Sequence, residues 1–179
     1  YWQKLLAGDN RKGGENPAAS FPIAIDLKTD ELFLVGLAYT GTSITVTGVT
    51  ARWRGSMQSD QATGTFQWDG TGAGKLKAHF TKWRRPDKMR TETPAGEALK
   101  ELPALDVVVD DFSVGEKRFG RLEVQAHNEG GIWRLDKIDL RNPYGSLSGS
   151  GQWQLSAANR TQLDFSLESS DVGRLLARL

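Results

Sequence analysis

The chain has 179 residues and carries 23 Lys and Arg against 22 Asp and Glu, a balance unlike the strongly basic footprint of a dedicated nucleic-acid binder. It has no cysteine, which excludes disulfides, thiolate metal sites and a cysteine nucleophile. No apolar run approaches the roughly 18 residues of a membrane-spanning helix, and 20 glycines point to many tight turns.

The chain opens on Tyr1-Trp2-Gln3-Lys4-Leu5-Leu6, which reads as the end of a preceding helix, and a loop from Gly8 to Ser20 completes residues 1–20. It closes on a second amphipathic piece, so the sequence reads as a fragment of a longer protein whose targeting segment lies outside it. Between the ends the period is two, the mark of strands with one apolar and one wet face. Phe21, Ile23, Ile25 and Leu27 alternate with Pro22, Ala24, Asp26 and Lys28. Leu32-Phe33-Leu34-Val35 is apolar on both faces. Further strands follow at Gly64-Thr65-Phe66-Gln67-Trp68 and from Leu76 through Ala78 to Phe80. Residues 84–102 form a charged linker, in which Pro94 to Leu102 can make a short helix. Val107 and Val109 fall in the strand that opens after Pro103, and Leu122, Val124 and Ala126 alternate with charged residues in the next. The phase slips between Leu135 and Ile138, where a bulge would restore it. Leu147, Gly149, Gly151 and Trp153 keep one face, as do Leu163, Phe165 and Leu167. Finally, Ser170 or Asp171 can cap the start of a C-terminal helix over residues 171–179.

An internal repeat runs through this pattern. Pro22 opens a strand, the pair Trp53-Arg54 follows, then Gly64 to Trp68 and a last strand ending at Phe80. Pro103, Trp133-Arg134, Gly149 to Trp153 and Phe165 recur in the same order. Trp68 precedes Phe80 by 12 residues, and Trp153 precedes Phe165 by 12. The expected organisation is therefore a first β unit at 21–83 and a second at 103–170, stacked so that neighbours bury each other's apolar faces. At least 45% strand, under 15% helix and almost wholly antiparallel pairing are expected, in an all-β fold.

Little of the sequence carries chemistry. Asp106, Asp110 and Asp111 lack the glycine turn and terminal Glu of a calcium loop, and alternation puts Asp106 and Asp110 on a solvated face, so no metal site is expected. His79 and His127 fall on polar strand faces with no serine or acidic partner evident nearby. No phosphate, dinucleotide or zinc spacing occurs, so neither an enzyme nor a cofactor is expected. The run Lys82-Trp83-Arg84-Arg85-Pro86-Asp87-Lys88-Met89-Arg90 reads as linker, with anionic headgroups as a further reading. Tryptophans on a β scaffold also suit sugar stacking, although Trp68 and Trp153 share the apolar face of their strands.

At these residues the sequence resembles the AsmA-like superfamily, in its YhdP branch. The resemblance rests on Leu102-Pro103-Ala104-Leu105-Asp106, Phe119-Gly120-Arg121-Leu122-Glu123-Val124, Trp133-Arg134-Leu135, Leu147 to Trp153, Thr161 to Phe165 and Asp171 to Leu176. It is looser from Phe21 to Trp83. It implies a large Gram-negative envelope protein with one N-terminal inner-membrane helix and a periplasmic, curved β sheet whose concave face is apolar. The implied role is to shield or conduct phospholipid or fatty acyl chains toward the outer membrane, with no catalytic residues. The groove-lining candidates are Ile23, Ile25, Leu27, Phe66, Trp68, Ala78, Phe80, Val107, Val109, Leu122, Val124, Trp153, Leu163, Phe165 and Leu167. Three alternatives stay open from the residues themselves: a face sealed as ordinary core, a ligand-free envelope scaffold, and a carbohydrate-binding module.

Overall fold

The alternating segments become strands, and almost nothing else is present. In the computed structural model, which describes residues 22–34, 36–85, 102–154 and 160–170, 84% of those residues are strand and none is helical. The strands are β1 (Pro22–Leu34), β2 (Leu37–Val49), β3 (Arg52–Gln58), β4 (Ala62–Asp69), β5 (Lys75–Arg85), β6 (Ala104–Val114), β7 (Lys117–Glu129), β8 (Ile132–Asn142), β9 (Gly145–Gln154) and β10 (Arg160–Ser169). The expected terminal helices and the short helix from Pro94 lie outside the described residues.

All ten strands form one open, curved sheet in chain order. Eight of the neighbouring pairs are antiparallel. The exception is β5 with β6, which run parallel from Lys75 opposite Ala104 to Arg85 opposite Val114. Parallel neighbours need a crossover of a dozen or more residues, and the stretch between Arg85 and Ala104 is long enough. β5 continues to Arg85, so Lys82 to Arg85 belong to the sheet and not to a linker. Between β7 and β8 the turn is made by Gly130 and Gly131, both at positive φ (59° and 82°), the pair of conformations a two-residue hairpin loop needs.

Because opposed residues share a face, the register fixes which side chains gather together. One row crosses every strand: Leu27, Ile44, Met57, Gly64, Phe80, Val109, Leu122, Leu140, Leu147, Leu167. The next is Ile25, Val46, Gly55, Phe66, Ala78, Val107, Val124, Ile138, Gly149, Phe165. A third is Ile23, Gly48, Trp53, Trp68, Leu76, Leu105, Ala126, Leu135, Gly151, Leu163. Every position in these three rows is apolar or glycine.

Bulges keep the rows in phase. The slip between Leu135 and Ile138 is a bulge that shifts the register against both β7 and β9, as the sequence suggested. Three others were not legible. One shifts β4 against β5 at Thr63/Gly64, and two shift β6 against β7, between Val109 and Phe112 and between Phe112 and Ser113. The first two turn a spacing of three into a shared face. Phe80 and Trp83 therefore pack at 5.7 Å, Trp83 and Phe112 at 6.0 Å, and Phe112 and Phe119 at 6.1 Å between ring centroids.

The glycines in the rows make room for rings. A methyl group on Gly55 would lie 2.7 Å from the tip of Phe66, and one on Gly64 would lie 2.6 Å from the Cα of Phe80 and 2.7 Å from its ring. Gly149 is overlaid in the same way by Phe165. An aromatic laid over a bare glycine replaces the missing side chain with apolar cover. Gly64→Ala is expected to destabilise the chain by about 1–3 kcal/mol through overpacking. Thr65→Ala on the opposite, exposed face should change stability by less than about 0.5 kcal/mol. Urea unfolding of the two variants measures the difference.

Candidate functional site

The candidate surface is the apolar face. All fifteen groove-lining candidates lie on it. Leu27, Phe80, Val109, Leu122 and Leu167 share the first row; Ile25, Phe66, Ala78, Val107, Val124 and Phe165 share the second; Ile23, Trp68 and Leu163 share the third. Trp153 lies one row further along, directly opposite Trp133. Sequence reasoning missed Ile44, Val46 and Met57, which sit among Thr, Ser and Gly and alternate just as cleanly. It also missed Trp83 and Phe112, whose faces depend on the bulges at Thr63/Gly64 and between Val109 and Phe112.

Exposure divides this surface. Towards the middle, Val109 is fully buried, and Met57, Ala78, Leu122 and Ala126 are buried as well. Leu37, Tyr39, Met57 and Ala62 form a small core against which Leu32, Ile44, Phe66, Phe80 and Trp83 pack. Burial raises the pKa of the Tyr39 hydroxyl above its ordinary value, because ionisation there would strand a charge away from water. At the two sides the face is bare: Ile25 is 51% exposed, Phe165 55% and Leu167 57%. Among the described residues no second sheet or helix lies over it. Large exposed apolar patches of this kind mark interaction surfaces in soluble proteins.

The family described as YhdP protein matches residues 1–179. The chain belongs to the YhdP family. YhdP proteins are envelope proteins, and theirs is not a known enzyme family. No curated protein and no solved structure matches the chain.

The other face of this YhdP-family sheet is a lattice of charges. Lys77 reaches Asp106 (3.8 Å), Arg118 reaches Asp111 (2.7 Å) and Arg141 reaches Asp139 (2.6 Å). Arg121 bridges Asp110 (2.6 Å) and Glu123 (3.1 Å), and Lys137 joins Glu123 at 2.7 Å. The histidines correct the sequence reading, since each has an acidic partner. His79 Nε2 lies 2.8 Å from Asp110, and His127 Nδ1 lies 2.7 Å from Asp136. Asp110 and Asp136 both sit in strand irregularities, at the Val109/Phe112 and Leu135/Ile138 shifts, which brings them within reach of the neighbouring strand. Among the described residues no group of three or more metal-ligating side chains gathers.

Hydrogen bonds from Lys137 and Arg121 lower the pKa of Glu123 below the ordinary carboxylate value. A depressed folded-state pKa stabilises the fold above the unfolded value, and the contribution is lost as pH falls through the folded value. Glu123→Gln should therefore cost up to about 1 kcal/mol at pH 7, as partly exposed ion pairs do. The difference from wild type should shrink towards zero below about pH 4. Denaturant unfolding at neutral and acid pH checks both halves of that expectation.

Proposed function

We propose that this YhdP-family chain is a periplasmic segment of an inner-membrane-anchored, AsmA-like lipid-transport protein. Its apolar face, taken as the inner, concave one, shields phospholipid acyl chains on their way to the outer membrane. The observation that carries this reading is the set of three aligned rows, apolar or glycine at every position across ten strands. Backbone donors and acceptors are consumed by the ladder, so the floor offers an acyl chain no unpaired polar group. Each methylene removed from water by such a floor contributes about 0.8 kcal/mol, which favours tails over headgroups. The role is one of binding and conduction, without catalysis.

Residues 21–83 and 103–170 are taken as the two β units of this segment, with 84–102 between them. The parallel seam at β5 and β6 supports that division. A ligand-free scaffold is the second reading, and it is favoured by the burial of Val109 and its neighbours, where the face covers itself. Sugar stacking has less support. Trp53 donates its indole N–H to the Thr50 carbonyl (2.8 Å) and Trp133 to that of Pro103 (3.1 Å), so both indole N–H groups are committed to the backbone.

Protein purified without detergent should yield fatty acid or phospholipid on organic extraction, above a matched control. Phe165→Asp, at an exposed position, should leave the chain folded and reduce lipid loading several-fold. Val109→Asp, at a fully buried position, should unfold it, because an unpaired charge there costs several kcal/mol or more. Thermal melting and native mass spectrometry of the three proteins read these outcomes. Wild-type protein that carries no lipid and ignores labelled fatty acids would leave the scaffold reading.

A further inference from the structure

The polar face also has rows. Ala24, Thr47, Arg54, Gln67, Lys77 and Asp106 are directly opposed in turn from β1 to β6. Beside them run Pro22, Val49, Arg52, Asp69, Lys75 and Ala104. Four cations therefore stand around Gln67 and Asp69 of β4, Arg52 and Arg54 on β3 and Lys75 and Lys77 on β5. Strand spacing puts the backbones of Arg54 and Lys77 roughly 10 Å apart, with Gln67 midway. Arg52 lies 3.3 Å from Asp69. Lys77 lies 3.8 Å from Asp106, beyond hydrogen-bond length. Among the described residues no carboxylate pairs with Arg54 or Lys75.

The second half of the sheet provides the contrast. Arg134 opposes Gln152 as Arg54 opposes Gln67, in the recurring pairs Trp-Arg and Gln-Trp. There, however, Arg134 meets Glu129 at 2.6 Å. The place of Lys77, nine residues after Trp68, is taken by the neutral Gln162, nine residues after Trp153. All four arginines of β7 and β8 have a carboxylate within 4 Å. Charge matching is thus the pattern over that part of the face, and the Arg54 patch departs from it. Cations gathered on neighbouring strands without partners disfavour the fold, and an anion between them would relieve that cost.

The patch is also concave. Arg52, Arg54, Gln67, Lys75 and Lys77 line an open cleft of about 1090 Å³. Arg54 and Gln67 also line an adjoining cleft of about 370 Å³. We propose that the larger cleft binds a phosphate group, held between the Arg54 guanidinium and the Lys77 ammonium over the Gln67 amide, with Lys75 alongside. Donors arriving from three strands suit the several oxygens of a phosphate, whereas the two oxygens of a carboxylate are satisfied by one guanidinium fork. The four cations set against Asp69 and Asp106 leave an excess of two positive charges, which a phosphate offsets. The site lies on the face opposite the acyl-chain floor and does not depend on that reading. The phosphate belongs either to a soluble ester or to a lipid headgroup.

Glycerol phosphate, added to the isotope-labelled chain at an ionic strength held constant with chloride, should move the NMR signals of the Gln67 side-chain amide and the Arg54 guanidinium saturably. The Gln152 amide should not move. Arg54→Gln and Lys77→Gln, both at exposed positions, should each weaken binding about tenfold, as loss of a charged hydrogen bond does. Arg118→Gln, which removes a matched cation from the same face, should weaken it by less than about twofold. Vesicles distinguish the two sources. Co-flotation with phosphatidylglycerol vesicles but not phosphatidylcholine vesicles, abolished by Arg54→Gln, assigns a lipid headgroup. Saturable binding of glycerol phosphate without that preference assigns a soluble ester. The proposal is overturned if glycerol phosphate gives no saturable shift at Gln67, or if Arg118→Gln weakens binding as much as Arg54→Gln and Lys77→Gln do.

Discussion

Everything in this molecule depends on strand register. A side-chain period of two means that a slip of one residue would send an entire apolar set to the wet face, and here nine successive pairings must agree. They do agree: Leu27 on the first strand and Leu167 on the last are joined by a line of directly opposed apolar residues or glycine. Where the sequence loses phase, a bulge recovers it. The bulges are therefore part of what keeps the two faces chemically distinct, and they also place Asp110 and Asp136 against His79 and His127.

The faces solve different problems. On the polar side, charges from adjacent strands neutralise one another, with Glu123 held between Lys137 and Arg121 and Asp110 between Arg121 and His79. Such pairs contribute little each, but they keep opposite charges matched across that face. On the apolar side the rows alternate bulk with absence of bulk, so that rings of Phe66, Phe80 and Phe165 lie over Gly55, Gly64 and Gly149. The result is cover for the backbone without a second layer of secondary structure among the described residues. A face with this composition suits the acyl-chain role proposed for it.

The parallel seam is the structural departure from a simple meander. A chain that only turned back on itself would make every neighbour antiparallel. At β5 and β6 the chain instead returns to start a second five-strand series in the same direction as the first. Among the described residues β1 to β5 and β6 to β10 are thus two series side by side in one sheet.

The sequence by itself determined the all-β class, the apolar and polar sets, the bulge between Leu135 and Ile138, and the recurrence of Trp-Arg and Gln-Trp. Each of these is written in local spacing, because side-chain alternation and turn-forming glycines need no distant partner to be read. Membership in the YhdP family was legible from the same phrases, read most clearly in residues 102–179. Only the tertiary structure decided that the ten strands form one sheet in chain order, that β5 and β6 run parallel, and that Trp83 and Phe112 join the apolar face. It alone paired His79 with Asp110 and His127 with Asp136. Those outcomes depend on which strands become neighbours and where the ladder skips a residue, and both are settled by contacts between residues far apart in the chain.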